Sequence, residues 1–144
     1  MIDFSSVNWL AVLVCVILSM VIGAIRYHPK VFFTTWWNGI GKTGQPGMNA
    51  GQSQGMLWGL TVLCSLIEVM AMAFMVKLWA GSMPGGMTAG TGFVTGLLLW
   101  LGFVVPTNLV NKLFAGYQPR VFLIEAGNHL VNFLLFGAIL GAWH

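Results

Sequence analysis

Near the end of the chain, Glu125, Asn128, His129 and Asn132 interrupt an otherwise apolar stretch over 121–143. Their spacings of 3, 4 and 7 residues place them within an arc of about 100° on an α-helix. A helix this apolar can span a bilayer, and these residues form a single polar stripe along part of it. Glu68 stands inside a second apolar run over 56–76, and Asn108 and Asn111 follow Pro106 in a third. Carboxylates and an imidazole in a row can relay protons or coordinate a cation. Their other use is to hydrogen-bond across helices and fix packing, at about 0.6 kcal/mol each. The asparagines at 108, 111, 128 and 132 suit the packing role. For Glu68, and for His129 with Glu125, the residue types leave both uses open. A charged carboxylate deep in a membrane costs about 2.5–3.5 kcal/mol on insertion scales, so Glu68 is expected to face the bundle interior.

The elements that position these groups follow from composition. The 144 residues are 58% hydrophobic and 6% charged, against about 25% charge in an average soluble domain. Such a chain is expected to form one integral membrane domain over 1–144, an all-α four-helix bundle. The spans read as about 7–25, 56–76, 93–113 and 121–143, each an apolar run bounded by charge, glycine or proline. Pro106 cannot donate to the carbonyl of Gly102 and is expected to kink the third span, with Thr107, Asn108 and Asn111 available to the freed backbone groups. After the first span, Arg26, Pro29 and Lys30 stop the run, and Trp36 and Trp37 mark a short segment lying in the interface. Residues 38–55 read as a flexible Gly-rich loop. The excess of Arg and Lys in loops 1–2 and 3–4 places both loops in the cytoplasm and both termini outside. The net charge of +3 comes from six basic and three acidic residues; it reflects basic loops facing anionic lipid and is no nucleic-acid footprint.

Several chemistries are disfavoured. Gly41-Lys42-Thr43 echoes the end of a phosphate-binding loop, but Trp36 stands where the motif needs glycine. A hydrolase needs an activated nucleophile; Ser65 is three residues from Glu68, but no histidine is expected at that depth. Counting about 1.5 Å per residue from the outer ends puts Glu68 about 12 Å deep, Asn132 about 16 Å, His129 about 21 Å and Glu125 about 27 Å. Cys15 and Cys64 read as small buried hydrophobes, and one intramembrane histidine makes a closed zinc site improbable. No cofactor is expected, with haem or a pigment on His129 as the minor alternative. Tyr27-His-Pro-Lys-Val-Phe32 is echoed by Tyr117-Gln-Pro-Arg-Val-Phe122, either the trace of a two-plus-two repeat or two similar interface turns.

Val7-Asn-Trp-Leu-Ala through Gly23-Ala-Ile-Arg-Tyr-His-Pro29 forms one recognisable block. A second comprises Leu97-Leu-Leu-Trp-Leu-Gly-Phe-Val-Val-Pro-Thr107, Phe122-Leu-Ile-Glu-Ala-Gly127 and Gly137-Ala-Ile-Leu-Gly-Ala-Trp143. Together they resemble the domain-of-unknown-function family 1761 of small bacterial integral membrane proteins. The resemblance implies four membrane helices and a bacterial inner membrane, and brings no activity with it. Three function classes then stand. The first is a non-enzymatic accessory subunit, packing with itself or a larger membrane complex through the small-residue faces Ser19/Gly23, Gly92/Gly96 and Gly137/Gly141. The second is a small proton- or cation-coupled transporter using Glu68, His129 and Glu125. The third is a membrane-embedded binder of a cofactor or lipid with His129 as ligand.

Overall fold

The computed structural model describes residues 4–43 and 53–144. Among the described residues there is no strand, and four helices are long and apolar enough to cross a membrane. Helix α1 spans Trp9–Arg26. A π-helical turn, Pro29–Phe33, then leads into the short helix α2, Thr34–Gly39. Helix α3 is Gln54–Ala80. The third span is built in three pieces: α4 Ala89–Leu99, a π-helical turn Trp100–Val104, and α5 Val105–Phe114. Helix α6, Pro119–Ala142, carries the polar stripe.

Local chemistry sets the helix ends. The Asn8 carboxamide accepts from the amides of Leu10 and Ala11 at 3.2 and 3.1 Å, and Ser53 Oγ accepts from Met56 N at 3.1 Å. At the head of α4, Thr91 N donates to Thr88 Oγ1 at 3.1 Å, while Thr88 N donates to Thr91 Oγ1 at 2.8 Å. This reciprocal capping box satisfies two of the amides that a helix start leaves open. Thr88→Val is therefore expected to lower stability by about 1 kcal/mol, read from thermal unfolding in detergent; an unchanged midpoint would show that the cap contributes nothing.

The echoed hexapeptides have a local explanation. His28 (φ −73°, ψ 142°) and Gln118 (φ −65°, ψ 144°) are both extended residues preceding a proline at the first helical position. Proline pushes its predecessor out of the helical region and is itself pre-set to begin a helix. Both sites are thus helix starts as well as stops for the preceding span. Nothing in that likeness requires a repeat.

The core has a simple pattern. Ala11, Val12, Cys15 and Val16 of α1 meet Val69, Met72, Ala73 and Val76 of α3 and Phe136 and Leu140 of α6. On each helix these positions recur at helical spacing, leaving Leu10, Leu13, Ile17, Val21 and Ile25 of α1 exposed toward lipid. Helix α6 is the hub and packs against α1, α2, α3, α4 and α5. Its tightest partner is α4. A Cβ added at Gly92 would fall on the Gly137 carbonyl oxygen, and one at Gly96 on the Phe133 carbonyl oxygen. Glycines let two helix backbones touch where any side chain would separate them.

Several expectations are revised. Helix α3 runs a turn beyond residue 76, because the Lys77 ammonium donates to the backbone oxygen and hydroxyl of Ser6, so the charge does not end the helix. Asn38 and Gly39 belong to α2, so the loop expected over 38–55 begins later; its residues 44–52 lie outside the described residues. Pro106 lies in the first turn of α5, directly after a widened turn in which Val105 N–H bonds the Trp100 carbonyl. This π turn is the local form of the interruption expected at the proline. Cys15 is buried, whereas Cys64 is exposed, so only the first is a core hydrophobe. Gly23 is not a close-approach glycine either, since no atom lies within 4 Å of where its Cβ would stand.

Candidate functional site

The open space beside Gly23 belongs to a cavity of about 570 Å³ between α1, α3 and α6. Helix α1 presents Ser19, Met20, Gly23 and Ala24, positions on one helical face. Tyr27, Pro29 and Phe33, from the turn after α1, close one end. Thr61, Cys64, Ser65 and Glu68 come from a single face of α3, and Asn128, His129 and Asn132 from α6. The walls are mostly apolar, and a volume of about 300–1,000 Å³ is that of a small-molecule pocket.

The polar groups of the α6 wall are unsatisfied. Asn132 is 6% exposed, and its Oδ1 has no hydrogen-bond partner. Asn128 Oδ1 and His129 Nδ1 are likewise buried without one. A buried polar atom left unpaired costs about 1–3 kcal/mol, so three lining one cavity form a site awaiting donors or acceptors. Glu68 and His129 line this cavity together. Depths counted from the expected helix ends kept these two residues about 9 Å apart. The true ends remove that offset. Counted at about 1.5 Å per residue from Ala80 and Ala142, Glu68 lies about 18 Å along its helix and His129 about 20 Å along its own. His129 therefore also reaches the level of Ser65, against expectation, although no hydrogen bond joins them among the described residues.

A second cavity, of about 320 Å³, lies on the other side of the same pair. Glu68 and His129 border it together with Phe103 and Val104 of the π turn and Thr107, Asn108, Asn111 and Lys112. Asn108 Oδ1 is buried without a partner, while Asn111 is exposed. The π turn is tied to α6 by the Trp100 indole, which donates to the Ala126 carbonyl at 2.8 Å.

Glu125 does not join the stripe it was grouped with. Its Oε2 pairs with Lys112 Nζ at 2.7 Å, and its Oε1 accepts from Trp36 Nε1 at 2.8 Å. These contacts clamp α2, α5 and α6 at one end of the bundle. Gly39 sits against Val121, and Gln118 N donates to the Gly39 carbonyl at 3.3 Å beside them. Trp36 meets Tyr27 edge-on, with ring centroids 5.6 Å apart, and Trp37 stacks on Phe33 at 5.5 Å. Burial and the Glu125 carboxylate push the Tyr27 phenol up to about 12, against an opposing effect of Arg26, so it stays a neutral hydrogen-bonding group at the cavity end. The sequence signal for this clamp was present in Trp36, Lys112 and Glu125 but divided among three segments.

A family model described as "Protein of unknown function (DUF1761)" matches residues 10–141, nearly the whole chain and all four spans. The chain belongs to this family. Comparisons with curated proteins and with solved structures returned no match. The matched region contains Glu68, Asn128, His129 and Asn132, every polar residue of the α3 and α6 walls, and all four glycines of the α4–α6 contact. Among the described residues no group of three His, Cys, Asp or Glu side chains gathers to hold a metal ion. His129 lines the cavity, and its Nδ1 is buried without a hydrogen-bond partner.

Proposed function

We propose that the protein binds a small, largely apolar molecule within the membrane, in the cavity between α1, α3 and α6. The observation that carries this reading is that Asn128, His129 and Asn132 of α6, each with a buried unpaired atom, line one open volume together with Glu68. Interhelical glue would have satisfied these groups with one another. Gly92, Gly96, Gly137 and Gly141 are spent on contact inside the chain, so those two faces lend no support to the accessory-subunit reading. In this reading the basic loops face the cytoplasm of a bacterial cell and the molecule works in its inner membrane.

The test is to block the cavity without touching its polar groups. Gly23→Phe is suited to this, because the space beside Gly23 is open. Native mass spectrometry of protein extracted gently from its membrane should show a bound small molecule on the unaltered chain and at least a tenfold loss of it in the variant. Equal retention by both would overturn the proposal.

A transport reading would use the wall that Glu68 and His129 share between the two cavities. Flux in proteoliposomes that Glu68→Gln abolishes while the fold survives would support transport. Glu125 has no part in this version, being held by Lys112 and Trp36.

A further inference from the structure

We infer that the ligand of the α1–α3–α6 cavity is a hydrophobic organic cation, a protonated amine on an apolar body, with Glu68 as its counter-ion. The inference rests on the binding reading above and adds the charge and polarity of what is bound.

The first argument is the balance of charge around the space. Glu68 is the one carboxylate lining either cavity among the described residues, and it makes no ion pair there. The nearby cations are engaged elsewhere. Lys112 is held by Glu125 at 2.7 Å. Arg26 lies over the Phe32 ring, 5.2 Å from its centroid, with its guanidinium against Gly127. His28 uses Nδ1 to accept from Lys30 N at 3.3 Å, which requires that nitrogen to be unprotonated. His129 lines both cavities with Glu68. An anionic ligand would meet Glu68 as a like charge, whereas a cationic one supplies the partner that a carboxylate in a low-dielectric space needs.

The second argument is the hydrogen-bond inventory. The unpaired atoms of Asn128 and Asn132 are both Oδ1, and the Glu68 oxygens are also acceptors. His129 Nδ1 can act either way. A ligand matching this wall supplies N–H donors, and an ammonium has three of them and no acceptor. The third argument is the opposite end of the cavity, where Tyr27, Phe33 and Trp58 line the space. Aromatic faces attract cations and accommodate an apolar body equally well.

The test is a matched set of probes of one shape and three charges: 2-(1-naphthyl)ethylamine, 2-(1-naphthyl)ethanol and 1-naphthaleneacetate. Binding to the full-length protein in nanodiscs at pH 7 is measured by calorimetry, with empty nanodiscs subtracted. The amine is expected to bind at least tenfold tighter than the alcohol, and the acetate weakest. In Glu68→Gln, which keeps the shape but removes the charge and turns one acceptor oxygen into an NH2 donor, amine and alcohol should converge. Equal or tighter binding of the alcohol or the acetate would overturn the inference while leaving the cavity as a binding site. An amine preference that survives Glu68→Gln would overturn the counter-ion role. If none of the three binds and Gly23→Phe retains whatever the unaltered chain retains, the binding reading itself fails. Should Glu68→Gln not fold, the charge series on the unaltered chain decides alone.

Discussion

Gly92→Ala is expected to destabilise the protein by more than about 3 kcal/mol, a large effect for one added methyl group. The new Cβ would fall on the Gly137 carbonyl oxygen, and it would stand 3.1 Å from Gly141 Cα. Backbone cannot rotate away as a side-chain tip can, so α4 and α6 would have to move apart over several turns. That separation would also undo the contacts of Gly96 with Phe133 and of Gly141 with Thr88. Gly90→Ala provides the control. It lies in the same helix, its nearest neighbour would be Thr88 Oγ1 at 3.7 Å, and replacing a helical glycine should stabilise by about 0.5–1 kcal/mol. Two identical substitutions two residues apart are thus expected to act with opposite sign. Unfolding in detergent, followed by circular dichroism, checks both. A Gly92→Ala protein as stable as the parent would mean that α4 and α6 do not meet at their backbones.

The second large effect is expected at the clamp. Glu125→Leu removes a carboxylate that holds Lys112 and Trp36 together, at side-chain exposures of 20% for Lys112 and 16% for Glu125. Breaking a buried pair by deleting one member costs about 3–5 kcal/mol. Partial exposure lets the orphaned ammonium reach water, so about 2–3 kcal/mol is expected here. Lys112→Met should cost less, since the remaining carboxylate keeps the indole of Trp36. The double variant Glu125→Leu/Lys112→Met should recover part of the loss, because two apolar side chains leave no unpaired charge. The coupling is read from the double-mutant cycle. A Glu125→Leu protein within about 0.5 kcal/mol of the parent would show that the pair is too well solvated to matter. The same variant should also raise susceptibility to proteolysis around α2, since only packing and the Gln118–Gly39 backbone bond would then hold that helix against α6.

The contrast between these two predictions shows how differently the sequence announces its contacts. Gly92, Gly96, Gly137 and Gly141 were visible as small-residue faces, yet the spacing of glycines is the same whether the partner is another chain or another helix of this one. Glu125 was visible as part of a stripe with Asn128, His129 and Asn132. Helical spacing correctly put all four on one arc, but an arc of about 100° is wide enough for its two ends to meet different neighbours. Glu125 meets α2 and α5, while Asn128, His129 and Asn132 meet the cavity.

By itself the sequence determined the class and the number of long apolar helices. Too little charge to cover a soluble surface, four long apolar runs, basic stops and interfacial tryptophans leave a chain little choice but an all-α membrane bundle, because each is a local or compositional property. It also singled out Glu68 and His129, since a polar group among apolar neighbours is conspicuous without any fold. Whether those two met was a matter of a single helical turn. Lys77 looked like the end of a span, but α3 continues to Ala80, with the Lys77 ammonium bonded to Ser6, and Glu68 comes level with His129. The cavity was likewise beyond the sequence, because empty space belongs to no residue. It exists where Gly23 of α1 lacks a side chain opposite the polar faces of α3 and α6, and that meeting of three distant segments is decided by packing alone.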